Sequence, residues 1–147
     1  STAPSASRRA SETASVKLQG KVAFVAGASR GIGATIAAAL AAEGACVAVA
    51  ARSEEQGKLP GTIGSVVAAI TEAGGRALPV PCDVSDEASV EAAVAQTVSE
   101  FGGIDIVVSN AGIFPKNDHL DAMAQGDWDR TLMINLTSHQ KLMNKVI

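Results

Sequence analysis

Lys21-Val22-Ala23-Phe24-Val25-Ala26-Gly27-Ala28-Ser29-Arg30-Gly31-Ile32-Gly33 opens with an unbroken apolar run and closes on three glycines. Val22 to Ala26 is the length and composition of a strand buried on both faces. From Gly31 to Glu43 the chain turns Ala-rich, with Ile32, Ile36 and Leu40 at i, i+4 and i+8, which predicts a helix with that stripe facing the core and Gly44 closing it. Glycines between a buried strand and a helix allow a tight turn, close helix–strand packing, and close backbone approach to a pyrophosphate. The helix start offers free N–H groups and a partial positive charge to that anion. The plainer alternative is that the glycines only relieve crowding at the turn.

Outward from this unit the same alternation repeats. Cys46 to Ala51 reads as a second buried strand. Ile63, Val66, Val67 and Ile70 keep helical spacing between an N-cap at Thr62 and a C′ residue at Gly74. Ala77 to Cys82 reads as a third strand, and Pro79 and Pro81 fit an edge position. Ser85 is expected to cap a third helix, with Asp86 and Glu87 in its first turn and Val90, Val94, Val98 and Phe101 as its apolar stripe. Ile104 to Ser109 is a fourth strand, and a final helix is expected from about Gly126. Four βα repeats predict an α/β fold, a doubly wound parallel sheet with right-handed crossovers and helices on both faces. With strand order 3-2-1-4 the sheet is incomplete, and the fourth strand is an exposed apolar edge.

Composition narrows the function classes. The chain has 147 residues, of which 47% are hydrophobic and 18% charged, enough for a packed core in a single domain. Ser1 to Gln19 is Ser/Thr/Ala-rich without apolar periodicity and reads as a flexible tail, with residues 20 to 147 as the folded domain. No apolar run approaches the roughly 18 residues of a membrane span. The net charge of -3 argues against nucleic acid as a partner. No secretory segment is seen, so the expected compartment is the cytoplasm. Cys46 and Cys82, on neighbouring strands, read as buried thiols, and no residues have metal-ligand spacing. Trp128 is expected to anchor the last helix, and nothing in the sequence pairs His119 or His139 with a Ser or Cys nucleophile.

Four motifs occur in order: Ala26-Gly27-x3-Gly31-Ile32-Gly33, Cys82-Asp83-Val84, Ser109-Asn110-Ala111-Gly112, and Asn135 in the last helix. In these the chain resembles the short-chain dehydrogenase/reductase family, from about Leu18 to Ile147, as the N-terminal part of its Rossmann domain. The family usually has Thr at Ala26 and Asn at Ser109. Lys58 to Ile63 is similar to an insertion in hydroxysteroid-dehydrogenase-like members. The resemblance implies a dinucleotide held by Gly27, Ser29, Arg30, Gly31, Ile32 and Gly33. It places Asp83 and the Val84 backbone at the adenine, and Asn110, Ala111 and Gly112 along the ribose and nicotinamide side. Asp83 and Asn110 also follow the C-terminal ends of strands, where ligands of open α/β sheets bind. The bland alternatives are a helix-start carboxylate for Asp83 and a packed amide for Asn135.

Charge selects the dinucleotide. An acid closing the second strand would receive a ribose 2′-hydroxyl and repel a 2′-phosphate. Here that strand runs into Arg52-Ser53 with no acid before Glu54, and Arg30 approaches the same corner. Two arginines favour NADP(H) over NAD(H), with Arg52 and Ser53 at the 2′-phosphate; the alternative is a solvated strand-end charge at Arg52.

The family moves hydride between nicotinamide and a small carbonyl or alcohol substrate. Its proton is handled by a tyrosine beside a lysine, because an unaided phenol titrates near pH 10. This chain has no tyrosine. Asn135 matches the asparagine of that catalytic group and is its only member present. The expected reading is therefore the cofactor-binding half of a longer reductase, inactive alone, homo-oligomeric or completed by further chain. The alternative is an inert NADP(H)-binding or interaction module.

Overall fold

Among the described residues, β1 (Val22–Ala26) and β2 (Cys46–Ala51) are buried almost throughout, as strands are when flanked by strands and covered on both faces. The computed structural model describes residues 16–52, 60–115 and 119–147. The tail reading for residues 1–15, and Ser53, Lys58 and Leu59, lie outside them. β3 (Arg76–Pro81) and β4 (Ile106–Ser109) flank the central pair in a four-stranded sheet of order β3-β2-β1-β4, parallel throughout. β3 is the outer strand that its two prolines require.

Side chains alternate across β1 into two cores. Ala23 and Val25 meet α1 (Gly31–Ala42) and α2 (Ile63–Glu72), while Phe24 and Ala26 meet α3 (Glu87–Phe101) and α5 (Ser138–Val146), whose Leu142 is fully buried. Lys145 of α5 reaches Glu87 at 2.9 Å and also Glu91, tying the two helices of that face. Thr62 caps α2 as expected: its hydroxyl accepts from Ser65 N at 3.0 Å, and Ser65 Oγ accepts from Thr62 N at 2.9 Å.

Several local expectations are corrected. The buried face of α1 is Gly33, Ala37 and Ala41, one position along from the expected stripe, and Ile32 is 72% exposed. The helix lies so close to the loop that a Cβ on Gly33 would stand 2.1 Å from Gly27 O, so the smallest residues must face inward. In α3 the cap is Asp86, accepting from Ala88 N at 3.0 Å, because the Ser85 hydroxyl is used on Asp83. Its buried residues are Val90, Ala93 and Thr97, whereas Val98 is 43% exposed. Trp128 is 42% exposed rather than an anchor. Cys82 is buried as expected, but Cys46 at the start of β2 is only partly so.

After β4, the chain forms a 3-10 turn (Leu120–Ala122) and then α4 (Gln125–Leu132). A π-helical turn at Met133–Thr137 joins α4 to α5, where the sequence reads as an uninterrupted helix. Among the described residues no helix is long and apolar enough to cross a membrane.

Candidate functional site

The C-terminal ends of β1, β2, β3 and β4 all open onto one cleft of about 330 Å³. It is lined by Gly27, Ser29 and Arg30 from the first loop, Arg52 after β2, Asp83 and Val84 after β3, and Asn110, Ala111 and Gly112 after β4. These predicted site residues, far apart in sequence, are thus brought together. Gly31, Ile32 and Gly33 are not on its lining: Gly33 faces the loop backbone, and Ile32 points to solvent.

The loop is fastened from both sides. Gly27 and Ala28 donate their N–H groups to Ala50 O at 2.8 and 3.1 Å. Asn110 Nδ2 donates to Gly27 O at 3.2 Å, and Asn110 N to Ala26 O at 3.1 Å. Gly27 has φ +75°, and a Cβ there would lie 2.7 Å from the Ala111 backbone, so only glycine lets the two loops touch. Among the described residues, nothing stands within 4 Å of where a Gly31 Cβ would be, leaving space at the amino end of α1 for an anion on its free N–H groups.

Asp83 is oriented before any ligand arrives. Its Oδ1 accepts from Ser85 N at 3.0 Å and Ser85 Oγ at 2.6 Å, while its own N–H donates to Ser89 Oγ at 2.9 Å. The Ser85 hydroxyl holds the carboxyl below its usual range against the opposing effect of burial, helped by the Ser85 N–H and by the charges of Arg52 and Arg130. Cys82 behind it is pushed up to about 11, first by burial and then by the Asp83 charge, so it stays a neutral wall.

Asn135 sits in the π turn and spends its amide on one residue: Oδ1 accepts from Ile113 N and Nδ2 donates to Ile113 O, both at 2.8 Å. It thereby straps the Asn110–Ile113 segment to the helix. π turns recur where a helix is bent to serve a site.

Sequence reasoning missed Ala51, Cys82, Ile113 and Ile134 as cleft walls. Cys82 and Ile134 carried a signal, as the residues before Asp83 and Asn135. It also missed that Ser109 Oγ and His139 Nδ1 hydrogen-bond to each other, correcting the expectation that neither histidine meets a hydroxyl nucleophile. Ser109 lies outside the cleft lining. Among the described residues no group of three or more His, Cys, Asp or Glu could hold a metal.

A glycine loop closed by backbone contacts and an open helix amino end, at the carboxyl ends of parallel strands, stand where open α/β sheets bind their ligands. The sequence pattern of the short chain dehydrogenases matches residues 21–147. The chain belongs to the short-chain dehydrogenase/reductase family. It is 52% identical over 96 residues to hydroxysteroid dehydrogenase-like protein 2 of Danio rerio, covering 65% of this chain and 23% of that one. A short-chain dehydrogenase/reductase from Serratia marcescens superposes with TM-score 0.80 at 42% identity, over 88% of this chain and 51% of its own. A metagenomic short-chain oxidoreductase solved in complex with NADP gives TM-score 0.79 at 35% identity, over 88% of this chain and 56% of its own. The chain thus spans about half the length of these solved family members, and about a quarter of the Danio rerio protein.

Proposed function

We propose that this chain is the cofactor-binding half of an NADP(H)-dependent oxidoreductase acting on a carbonyl or secondary alcohol. The observation that carries the reading is the charge at the end of β2. Arg30 and Arg52 line one cleft, and the sequence supplies no acid there before Glu54. A pair of guanidinium groups suits a 2′-phosphate, where an acid would suit the free ribose hydroxyl. That the metagenomic family member was solved with NADP supports the same choice.

When bound, the nicotinamide gives or takes a hydride at the substrate carbon. This chain's residues hold the rest of the cofactor. The amino end of α1 receives the pyrophosphate, Asp83 and the Val84 backbone the adenine, and Asn110 to Gly112 the nicotinamide side. Asn135 keeps that last segment in place through Ile113. No tyrosine stands among the 147 residues, so the acid that protonates the carbonyl oxygen is expected from outside them. The whole protein is proposed to self-associate through Trp128, Leu132 and Leu136, exposed at four-residue spacing along the last helices.

The test is a fluorescence titration with NADPH and NADH. The parent is expected to prefer NADPH, and Arg52→Ala to lose about 1.5–3 kcal/mol of NADPH binding, the range for hydrogen bonds to charged groups, with NADH little changed. Equal NADPH affinity in parent and variant overturns the preference. Failure of the parent to bind either nucleotide overturns the cofactor reading itself.

A further inference from the structure

Ser109 closes β4, and its Oγ is hydrogen-bonded to Nδ1 of His139 on α5. A hydroxyl both donates and accepts, so the tie holds whichever ring nitrogen carries the proton. It is not the start of a nucleophilic triad. Ser109 stands off the cleft lining, and among the described residues no acid bonds the other ring nitrogen to orient it. Its place in the chain gives it another use. Asn135, four residues before His139, bonds both backbone groups of Ile113, which lies four residues beyond Ser109. One turn of the last helical run therefore grips both ends of a stretch whose middle, Asn110, Ala111 and Gly112, lines the cleft. The approach is close, since a Cβ on Gly112 would stand 3.4 Å from Asn135 Oδ1. Among the described residues β4 ladders with β1 alone, so its carboxyl end takes its second restraint from this helix.

We propose that His139 is a positioning residue for the nicotinamide half of the cofactor, holding Ser109 so that Asn110 to Gly112 keep one conformation along the cleft. This rests on the dinucleotide reading above. A backbone stretch tied at one end swings about the other. Tied at both, it is ordered before the ligand arrives, and binding does not bear that entropy. Asn110 passes the restraint to the glycine loop through Nδ2 and Gly27 O at 3.2 Å. On the adenine side Asp83 is bonded to Ser85 and Ser89 instead, so the effect of His139 is confined to one half of the ligand.

The test titrates the full-length protein calorimetrically with NADPH and with 2′,5′-ADP, which carries the adenosine and 2′-phosphate but no nicotinamide half. H139A is expected to weaken NADPH about two- to tenfold, the scale of one net hydrogen bond, and to leave 2′,5′-ADP unchanged. H139N, whose amide puts a polar atom where Nδ1 stands, should restore most of the loss. S109A should match H139A, and the double variant should be no worse than either, because both remove one bond. Equal weakening of the two ligands is a general loss of structure and overturns the proposal, as does an unchanged NADPH affinity in H139A or additive losses in the double variant. If the parent binds neither ligand nor NADH, the cofactor reading falls and this one with it. A parent that binds NADH instead is tested with NADH and 5′-AMP on the same criteria.

Discussion

Gly33 has no freedom to carry a side chain. A Cβ there would lie 2.1 Å from Gly27 O and 2.9 Å from Asn110 Nδ2, and the nearer obstacle is backbone with no rotamer to escape into. Gly27 itself is pinned by Ala50 O and Asn110 Nδ2, so relief means moving α1 away from the sheet. Gly33→Ala is therefore expected to cost about 1–3 kcal/mol of stability, the range for overpacking, and to abolish dinucleotide binding. Urea unfolding and a cofactor titration check both. A variant as stable as the parent that still binds NADPH would show that the loop tolerates α1 at a greater distance.

Among the elements, α2 is held chiefly by local chemistry. Thr62 and Ser65 exchange side-chain and backbone hydrogen bonds across the first turn, and Ile63 and Ile70 are the residues it buries. Thr62→Ala removes the cap acceptor, and about 1 kcal/mol is the usual loss. Thermal unfolding should show it as a fall in Tm, with Thr62→Ser near the parent. Such elements are readable from sequence because cap, spacing and stop all lie within a dozen residues. The faces of α1 and α3 were not. An Ala-rich helix has little amphipathic contrast, and a glycine contact with the neighbouring loop chose Gly33, Ala37 and Ala41 over Ile32, Ile36 and Leu40. The π turn was equally hidden, since its Asn135 is bonded to a residue 22 positions away. The cleft divides in the same way: residues at strand ends, such as Asp83 and Asn110, followed from the βα pattern, while Ile134 depends on tertiary placement.

For the whole molecule the decisive feature is β4. Ile106, Val107, Val108 and Ser109 have the composition of a strand buried on both faces, yet all four are only partly buried, because β4 is the last strand of the sheet. Its outer backbone is a template for another strand. Leu120, Trp128, Leu132 and Leu136 add exposed apolar surface nearby in sequence. Solved family members are about twice as long as this chain, and the physical expectation is that further strand surface covers the β4 edge in them. A polypeptide of these 147 residues alone should accordingly associate as its concentration rises. Sedimentation velocity would show species heavier than the 14.8 kDa monomer. Val107→Lys places a charge on the unpaired strand, the device by which natural edges discourage pairing, and should shift the population back toward monomer. Monomer at every concentration would mean that the edge is covered by the chain itself. Association unchanged by Val107→Lys but lost in Leu136→Lys would assign it to the helix face instead.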